Sequence, residues 1–136
     1  MFGMLMMRFN VDRLDHLVLT CTDVDITASW FQRVLGMDRE EFGHTNRTAL
    51  RFGGQKINLD PADGERTTAA APVPGSHNLC FTTAIGPADI VTHLISCGIT
   101  ITEGPAAKIG ALGPMTSVYC RDPDGNLIEI STYSRD

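Results

Sequence analysis

The sequence predicts an α+β fold built from two copies of one β-α-β-β-β unit. The main sign is an internal repeat: a strand-like segment at residues 16–20 (H-L-V-L-T) recurs 62 positions later, at residues 78–82 (N-L-C-F-T). An amphipathic helical pattern follows each segment and ends at a glycine, Gly36 or Gly98, again 62 positions apart. Each copy closes on an alternating strand, residues 56–60 and 127–131. These observations together indicate a duplicated unit.

The first unit is expected to span about residues 11–60. Its helix should begin near Asp23 or Asp25, because both are favourable N-cap residues. Gly53-Gly54 predicts a hairpin between the two strands that follow. The helix carries an apolar stripe that should pack on these strands: Ile26, Trp30, Phe31, Val34 and Leu35.

The second unit is expected to span about residues 77–132, after a polar linker at residues 61–76. Pro87 suits the first turn of its helix, and residues 122–125 (D-P-D-G) predict the turn of its last hairpin. Residues 104–114 contain several glycines and are expected to form a mobile rim loop. The apolar stripe of this helix consists of Ile90, Val91, Leu94 and Ile95.

Alternation along the strands divides their residues between two faces of the predicted sheets. Apolar positions should face the helices: Leu17, Leu19, Ile57, Leu59, Leu79, Phe81, Ile128 and Ile130. The opposite face then carries His16, Lys56, Asn58, Asp60, Asn78, Glu129 and Ser131. A solvated outer face explains most of these polar residues. It explains less well why the equivalent strands carry ligand-type or amide residues at one register.

Length and composition suit one compact domain covering residues 1–136. The chain is 43% hydrophobic and 20% charged, which is typical of globular rather than disordered proteins. The net charge is −5 and no basic run is longer than a pair, which argues against nucleic acids and anionic membrane surfaces as partners. No apolar stretch approaches the length of about 20 residues that a membrane span needs.

The N-terminus and the cysteines favour a cytoplasmic location. Arg8 follows the apolar residues 1–7 instead of preceding them, and no small-residue cleavage site comes next, so a signal peptide is not expected. The four cysteines are widely spaced and form no C-x-x-C pair, which indicates free thiols in a reducing compartment: Cys21, Cys80, Cys97 and Cys120.

Three stretches within residues 11–132 resemble the vicinal oxygen chelate superfamily, which includes glyoxalase I, extradiol dioxygenases, and fosfomycin-resistance and bleomycin-binding proteins. They are residues 14–19 (L-D-H-L-V-L), 30–36 (W-F-Q-R-V-L-G) and 119–129, which contains D-P-D-G-N. The chain looks most like small single-domain, virulence-associated glyoxalase-like proteins. The resemblance implies paired βαβββ modules whose mostly antiparallel sheet curls into a cup around a divalent metal, with the helices on the outer face.

The resemblance also implies the site residues. His16 and Glu129 fall on two metal-ligand positions, and Asn58 falls on a third, where glyoxalase I has a carboxylate or carboxamide. His77 suits a site of two histidines and one glutamate, whereas the internal repeat aligns His16 with Asn78 instead. A bulge at residues 76–77 would bring His77 into the cup, and both alternatives stay open. Tyr119 is expected to pack and to line the cup in part.

The function implied is that of a metal-dependent glyoxalase-like (lactoylglutathione lyase-type) lyase or isomerase. It would act on a small α-dicarbonyl or its thiol adduct, with Glu129 as the base. Two vicinal oxygens of the substrate would chelate the metal, which would be Ni, Zn, Fe or Mn. Glutathione or another thiol is a candidate co-substrate. One alternative is a metal-free binding protein of the bleomycin-resistance type, and another is an Fe(II) extradiol dioxygenase. Residues 108–113 lack the histidine that the dioxygenase needs. A homodimer is expected, with cups formed within or between chains.

Overall fold

The computed structural model describes residues 8–64 and 69–134. The first unit contains β1 (Leu17–Cys21), α1 (Val24–Leu35), β2 (Asp38–Phe42), β3 (Arg47–Phe52) and β4 (Gln55–Pro61). The second contains β5 (Asn78–Thr82), α2 (Pro87–Ser96), β6 (Glu103–Gly110), β7 (Gly113–Arg121) and β8 (Leu127–Thr132). Neither helix of the described ranges is long and apolar enough to cross a membrane. The order of elements confirms the α+β class and the duplicated unit.

Each unit folds its four strands into one mixed sheet, with strand orders β1-β4-β3-β2 and β5-β8-β7-β6. In both sheets the first and last strands are parallel, and the other neighbours are antiparallel. Val18 pairs with Asn58 in the first sheet, and Cys80 pairs with Glu129 at the equivalent place in the second. The repeat offset of 62 positions therefore holds for β1 and β5, whereas the equivalent residues of β4 and β8 are 71 positions apart.

The helices begin and end where their sequences predict, but their buried stripes are narrower than predicted. The Asp23 carboxylate accepts a hydrogen bond of 2.9 Å from the Ile26 amide, and Gly36 ends α1 at φ 66°. The prediction that Ile26 and Ile95 face the core is wrong, since they are 59% and 65% exposed. Each helix packs mainly on the sheet of its own unit, so only residues near the centre of its apolar stripe are covered.

Residues 104–114 were predicted to form a mobile rim loop, and the structure shows instead that they belong to a β-hairpin. Strands β6 and β7 pair antiparallel up to Gly110 and Gly113, so the backbone groups of this segment are satisfied by the ladder. Gly104 has φ 101°, and a Cβ there would collide with the Ser117 carbonyl. This glycine serves a close backbone approach rather than mobility.

The helix-facing sides of both units share one hydrophobic core. Phe81 joins the units, because its ring makes edge-to-face contacts with Phe31 at 6.4 Å and with Phe52 at 5.5 Å. Arg33 of α1 donates a hydrogen bond of 2.7 Å to the Cys97 carbonyl at the end of α2. The units are therefore held together by helix and strand residues on the core side, and the opposite face of each sheet stays outside this core.

The D-P-D-G-N stretch forms the β7–β8 turn and fixes it to β5. The side chain of Asn126 is fully buried, accepts a hydrogen bond from the His77 amide and donates one to the Asp122 carboxylate, both at 2.8 Å. Burial raises the pKa of Asp122, and its hydrogen bonds with Asn126 oppose that effect. The D-P-D-G-N stretch, which is part of the resemblance to the family, thus has a structural role: it anchors the β7–β8 turn to the start of β5.

Replacing Asn126 by alanine is therefore expected to lower the free energy of unfolding by about 3 kcal/mol, because it leaves two buried polar groups unpaired. Urea unfolding of the Asn126→Ala variant measures this loss. Asn10→Ala, at an exposed position, is the control and should change stability by less than about 0.5 kcal/mol. A loss below about 0.5 kcal/mol for Asn126→Ala would contradict this role.

Candidate functional site

The faces that point away from the helices carry most of the predicted site residues. On the first sheet, Asn58 lies beside Val18 of β1 and Ala49 of β3. On the second, Glu129 lies beside Cys80 of β5 and Tyr119 of β7. The parallel register therefore makes Asn58 and Glu129 equivalent positions of the two sheets. Solvation of this face was expected but is wrong for three residues that are buried: Asn58, Asp60 and Ser131.

His16 lies just before β1, and its orientation is set by its neighbour. Its ring Nδ1 is 2.8 Å from an oxygen of the exposed Asp15 carboxylate. The pKa of Asp15 is lowered, chiefly by this hydrogen bond with His16. An ionised carboxylate only accepts hydrogen bonds, so Nδ1 carries the proton. In the neutral imidazole, Nε2 then carries the free lone pair, which is the arrangement of a metal-ligating histidine.

Asn58 is buried beneath a lysine. Its side chain is 2% exposed, and its Oδ1 has no hydrogen-bond partner in the described part of the chain. Lys56, on the same face of β4, extends toward β2 until its Nζ is 3.6 Å from the centre of the Phe42 ring. Its path passes over the row that contains Asn58 and the fully buried Ala49. The register thus places the lysine stem across the row of the buried amide.

The Glu129 carboxylate is held by hydroxyl groups of its own sheet. Ser131 donates a hydrogen bond of 3.3 Å to Glu129 Oε2, and the Ser131 hydroxyl also contacts Ser117 Oγ at 2.7 Å and Cys80 Sγ at 3.2 Å. The pKa of Tyr119 is raised, first by burial and then by its hydrogen bond with Glu129. Alternation placed Ser131 on this face, but nothing in the sequence indicated that its hydroxyl reaches Glu129.

The structure places Asn78, rather than His77, on the face that holds Glu129. Strand β5 pairs with β8 from Asn78 onward without a register shift, so Asn78 and Cys80 share one face and both are exposed. The His77 amide is bound to Asn126, and its ring Nδ1 is buried without a hydrogen-bond partner in the described part of the chain. No bulge turns His77 into the cup, and the geometry favours the alignment of His16 with Asn78.

A cavity of about 260 Å³ lies where the two units meet beside His16. Asp15, His16 and Lys56 line it from the first unit, and Cys80 lines it from the second. Glu129 does not line this cavity. Over residues 8–64 and 69–134, no three His, Cys, Asp or Glu side chains come together as a metal site. One chain therefore presents His16 and Glu129 on two separate open faces.

Two larger cavities lie away from these residues. One, of about 620 Å³, adjoins the β2–β3 turn and is lined in part by Arg47 and Asp60, which form an ion pair of 3.1 Å. The other, of about 410 Å³, is mainly apolar and lies between the end of α1 and α2. Neither contains any residue that the sequence predicted for the site. The small cavity beside His16 is therefore the one of these three that contains a residue predicted for the site.

The chain belongs to the Glyoxalase/Bleomycin resistance protein/Dioxygenase superfamily, whose family model matches residues 13–130. Virulence protein STM3117 of Salmonella typhimurium is 48% identical over 124 residues, covering 90% of this chain and 85% of the relative. Glyoxalase domain-containing protein RDO1 of Mycosarcoma maydis is 48% identical over 127 residues, covering 93% of this chain and 71% of the relative. The resemblance stated from the motifs is thus confirmed.

Solved structures of other proteins have the same fold as this chain. An integron cassette protein from V. cholerae is 46% identical, with a TM-score of 0.90 over 94% of this chain and 100% of that one. A lactoylglutathione lyase from Agrobacterium tumefaciens shares the fold at 19% identity, with a TM-score of 0.68 over 90% of this chain and 95% of that one. These similarities confirm the glyoxalase/dioxygenase fold.

Thiol accessibility tests the placement of Cys80 on an open face. All four cysteines are free, and burial raises the pKa of Cys21 to about 12 and that of Cys120 to about 11. We expect Ellman's reagent at pH 8 to leave both unmodified in the folded protein, because the reactive thiolate is scarce far below the pKa. Cys80 is exposed and should react. Its pKa is also raised, first by burial, so the reaction should be slower than that of a free thiol.

Cys80→Ser should remove this reaction, whereas Cys120→Ser should leave the native titration unchanged. Guanidinium should expose all four thiols. If Cys80 reacts only after unfolding at a protein concentration where the chain is monomeric, the second sheet face is covered within one chain and this placement is wrong.

Proposed function

We propose that this protein is a metal-dependent, glyoxalase-like lyase or isomerase for a small α-dicarbonyl compound or its thiol adduct. Its site would lie in a cup between the open sheet faces of two copies. The supporting observation is the equivalence of those faces: His16 presents a free Nε2 on the first, and Glu129 presents a hydrogen-bonded carboxylate on the second. An imidazole nitrogen and a carboxylate are suitable ligands for Zn, Ni, Fe or Mn.

A homodimer is proposed because two copies of the chain can form a metal site that one chain leaves incomplete. Within the described ranges, one chain brings no three metal-ligating side chains together. Large apolar side chains stand exposed before β1 and at the tip of the β6–β7 hairpin: Phe9 85%, Val11 79%, Leu14 69%, Ile109 79% and Leu112 86%. A second copy that covers them would remove apolar surface from water. The same contact would bring His16 of one copy toward Glu129 of the other.

The chain's own residues have distinct roles in this proposal. The metal, when bound, would polarise two adjacent oxygens of the substrate. Glu129 would move a proton to or from the carbon beside the substrate carbonyl, while Ser131 holds one of its oxygens in place. Asn58 and Asn78 would bind substrate oxygens or the metal through their amides, and Tyr119 would line the cup. Glutathione or another thiol would enter as co-substrate.

Fold relatives support the proposal without establishing it. One is a lactoylglutathione lyase, and another, the fosfomycin resistance protein FosX from Listeria monocytogenes, has a structure complexed with Mn(II). A second candidate function is metal-free binding of a small molecule. It is favoured by Asn78 in place of a second cup histidine and by an antibiotic-binding relative, TnmS3 from Streptomyces, at a TM-score of 0.72.

Metal content separates the two candidates. We expect untagged protein incubated with Ni²⁺, Zn²⁺, Fe²⁺ or Mn²⁺ and then desalted to retain about one ion per chain, as in a symmetric dimer with two cups. His16→Ala and Glu129→Ala should each lose the ion, because each removes a ligand. His77→Ala and the exposed control His44→Ala should retain it. Elemental analysis by mass spectrometry is the measurement.

The loaded protein should convert methylglyoxal in the presence of glutathione, and Glu129→Gln should lower kcat by about a hundredfold or more. If the wild type retains no ion under any of these conditions, the lyase proposal is wrong and the binding function replaces it. If His77→Ala loses the ion, Asn78 is not the residue that partners His16.

A further inference from the structure

One cation on the open face of the first sheet lacks an acidic partner. Three cations lie on that face, and Arg47 pairs with Asp60 at 3.1 Å while Arg51 pairs with Glu40 at 3.0 Å. Lys56 forms no ion pair within the part of the chain that the structure describes; its Nζ rests on the Phe42 ring. The pKa of Asp15, which lines the same cavity, is lowered first by its hydrogen bond with His16 and to a lesser degree by Lys56. No described carboxylate holds the Lys56 ammonium group in an ion pair, so this group can still bind a ligand.

Of these three cations, Lys56 is the one that lies beside His16, a predicted metal ligand. It precedes Ile57, which pairs with Leu17, so parallel pairing places Lys56 beside His16 on the same face. Both side chains line the cavity of about 260 Å³. Beneath the lysine stem lies Asn58, whose Oδ1 is buried without a partner among the described residues. A buried, unpaired amide oxygen costs free energy unless a ligand satisfies it.

We propose that Lys56 binds a carboxylate of the substrate, so that the cavity selects small molecules with a single negative charge. The Lys56 ammonium group, which no ion pair holds, can pair with one carboxylate, whereas the second negative charge of a phosphate or phosphonate dianion would be repelled by the Asp15 carboxylate of the same cavity. That the carboxylate belongs to a substrate with vicinal oxygens rests on the proposed function. The binding of a carboxylate at Lys56 does not.

Carboxylate binding would also uncover Asn58. The lysine side chain is flexible, and its ammonium group would move from the Phe42 ring to the carboxylate. This movement takes the stem off the row that holds Asn58 and Ala49. The amide of Asn58 then becomes accessible to the same ligand, so Lys56 both selects the anion and opens the floor of the site.

Binding of propionate and its neutral counterpart propionamide to metal-free protein tests this inference. After dialysis against EDTA, ¹⁵N-labelled protein is titrated with each compound, and Kd is taken from amide shifts near Ile57 and Cys80. We expect wild-type protein to bind propionate at least about tenfold more tightly than propionamide. Lys56→Met should abolish the difference, Lys56→Arg should restore it, and the control Arg51→Met should alter the Kd less than about twofold.

Equal affinity for propionate in wild type and Lys56→Met would overturn the proposal. So would tighter binding of methylphosphonate at a pH where it carries two charges, since the Asp15 carboxylate would repel the second charge of a dianion. Because no metal or turnover enters this experiment, its result is independent of the metal measurement. If the protein selects carboxylates but retains no metal, Lys56 is the anion site of a binding protein. If it retains metal but does not select carboxylates, the lyase proposal stands and the Lys56 proposal is wrong.

Discussion

The parallel pairing of the first and last strands of each unit is the constraint on which the rest of the structure depends. It sets His16 beside Lys56 and Val18 beside Asn58 on one sheet, and Cys80 beside Glu129 on the other. A slip of one residue would turn every one of these side chains into the hydrophobic core. The same register directs the apolar alternates toward the helices, so packing of the core and placement of the site are specified by one set of backbone hydrogen bonds.

Much of this could be predicted from the sequence, because the signals are local or repeated. Asp23, Gly36 and Gly53-Gly54 act through their own backbone geometry, and the 62-residue repeat makes β1 and β5 equivalent strands. The burial of Asn58 could not be predicted, because nothing local to residue 58 indicates that Lys56 extends across β3 to the Phe42 ring on β2. Residues 104–114 looked like a loop because glycine signals both mobility and close backbone approach, and only the pairing partner distinguishes them.

The residues that mark the family and the residues proposed for chemistry are different. Asp122 and Asn126, in the most recognisable stretch, build a turn and anchor the start of β5. The proposed chemistry belongs to side chains on the open faces of the two sheets. A site that combines His16, a free ammonium group at Lys56 and Glu129 suits a small anionic molecule with adjacent oxygens. The fold alone would accommodate many other ligands.

The central claim is that each site is shared between two copies of the chain. Mixing His16→Ala with Glu129→Ala protein, under conditions where native mass spectrometry shows exchange of subunits, tests it most directly. Each mixed dimer would contain one cup with both mutations and one cup with neither. Metal retention should then return to about a quarter of the wild-type value, although neither variant retains metal alone. If mixed dimers form and retain no metal, each cup is built within one chain and the claim is wrong.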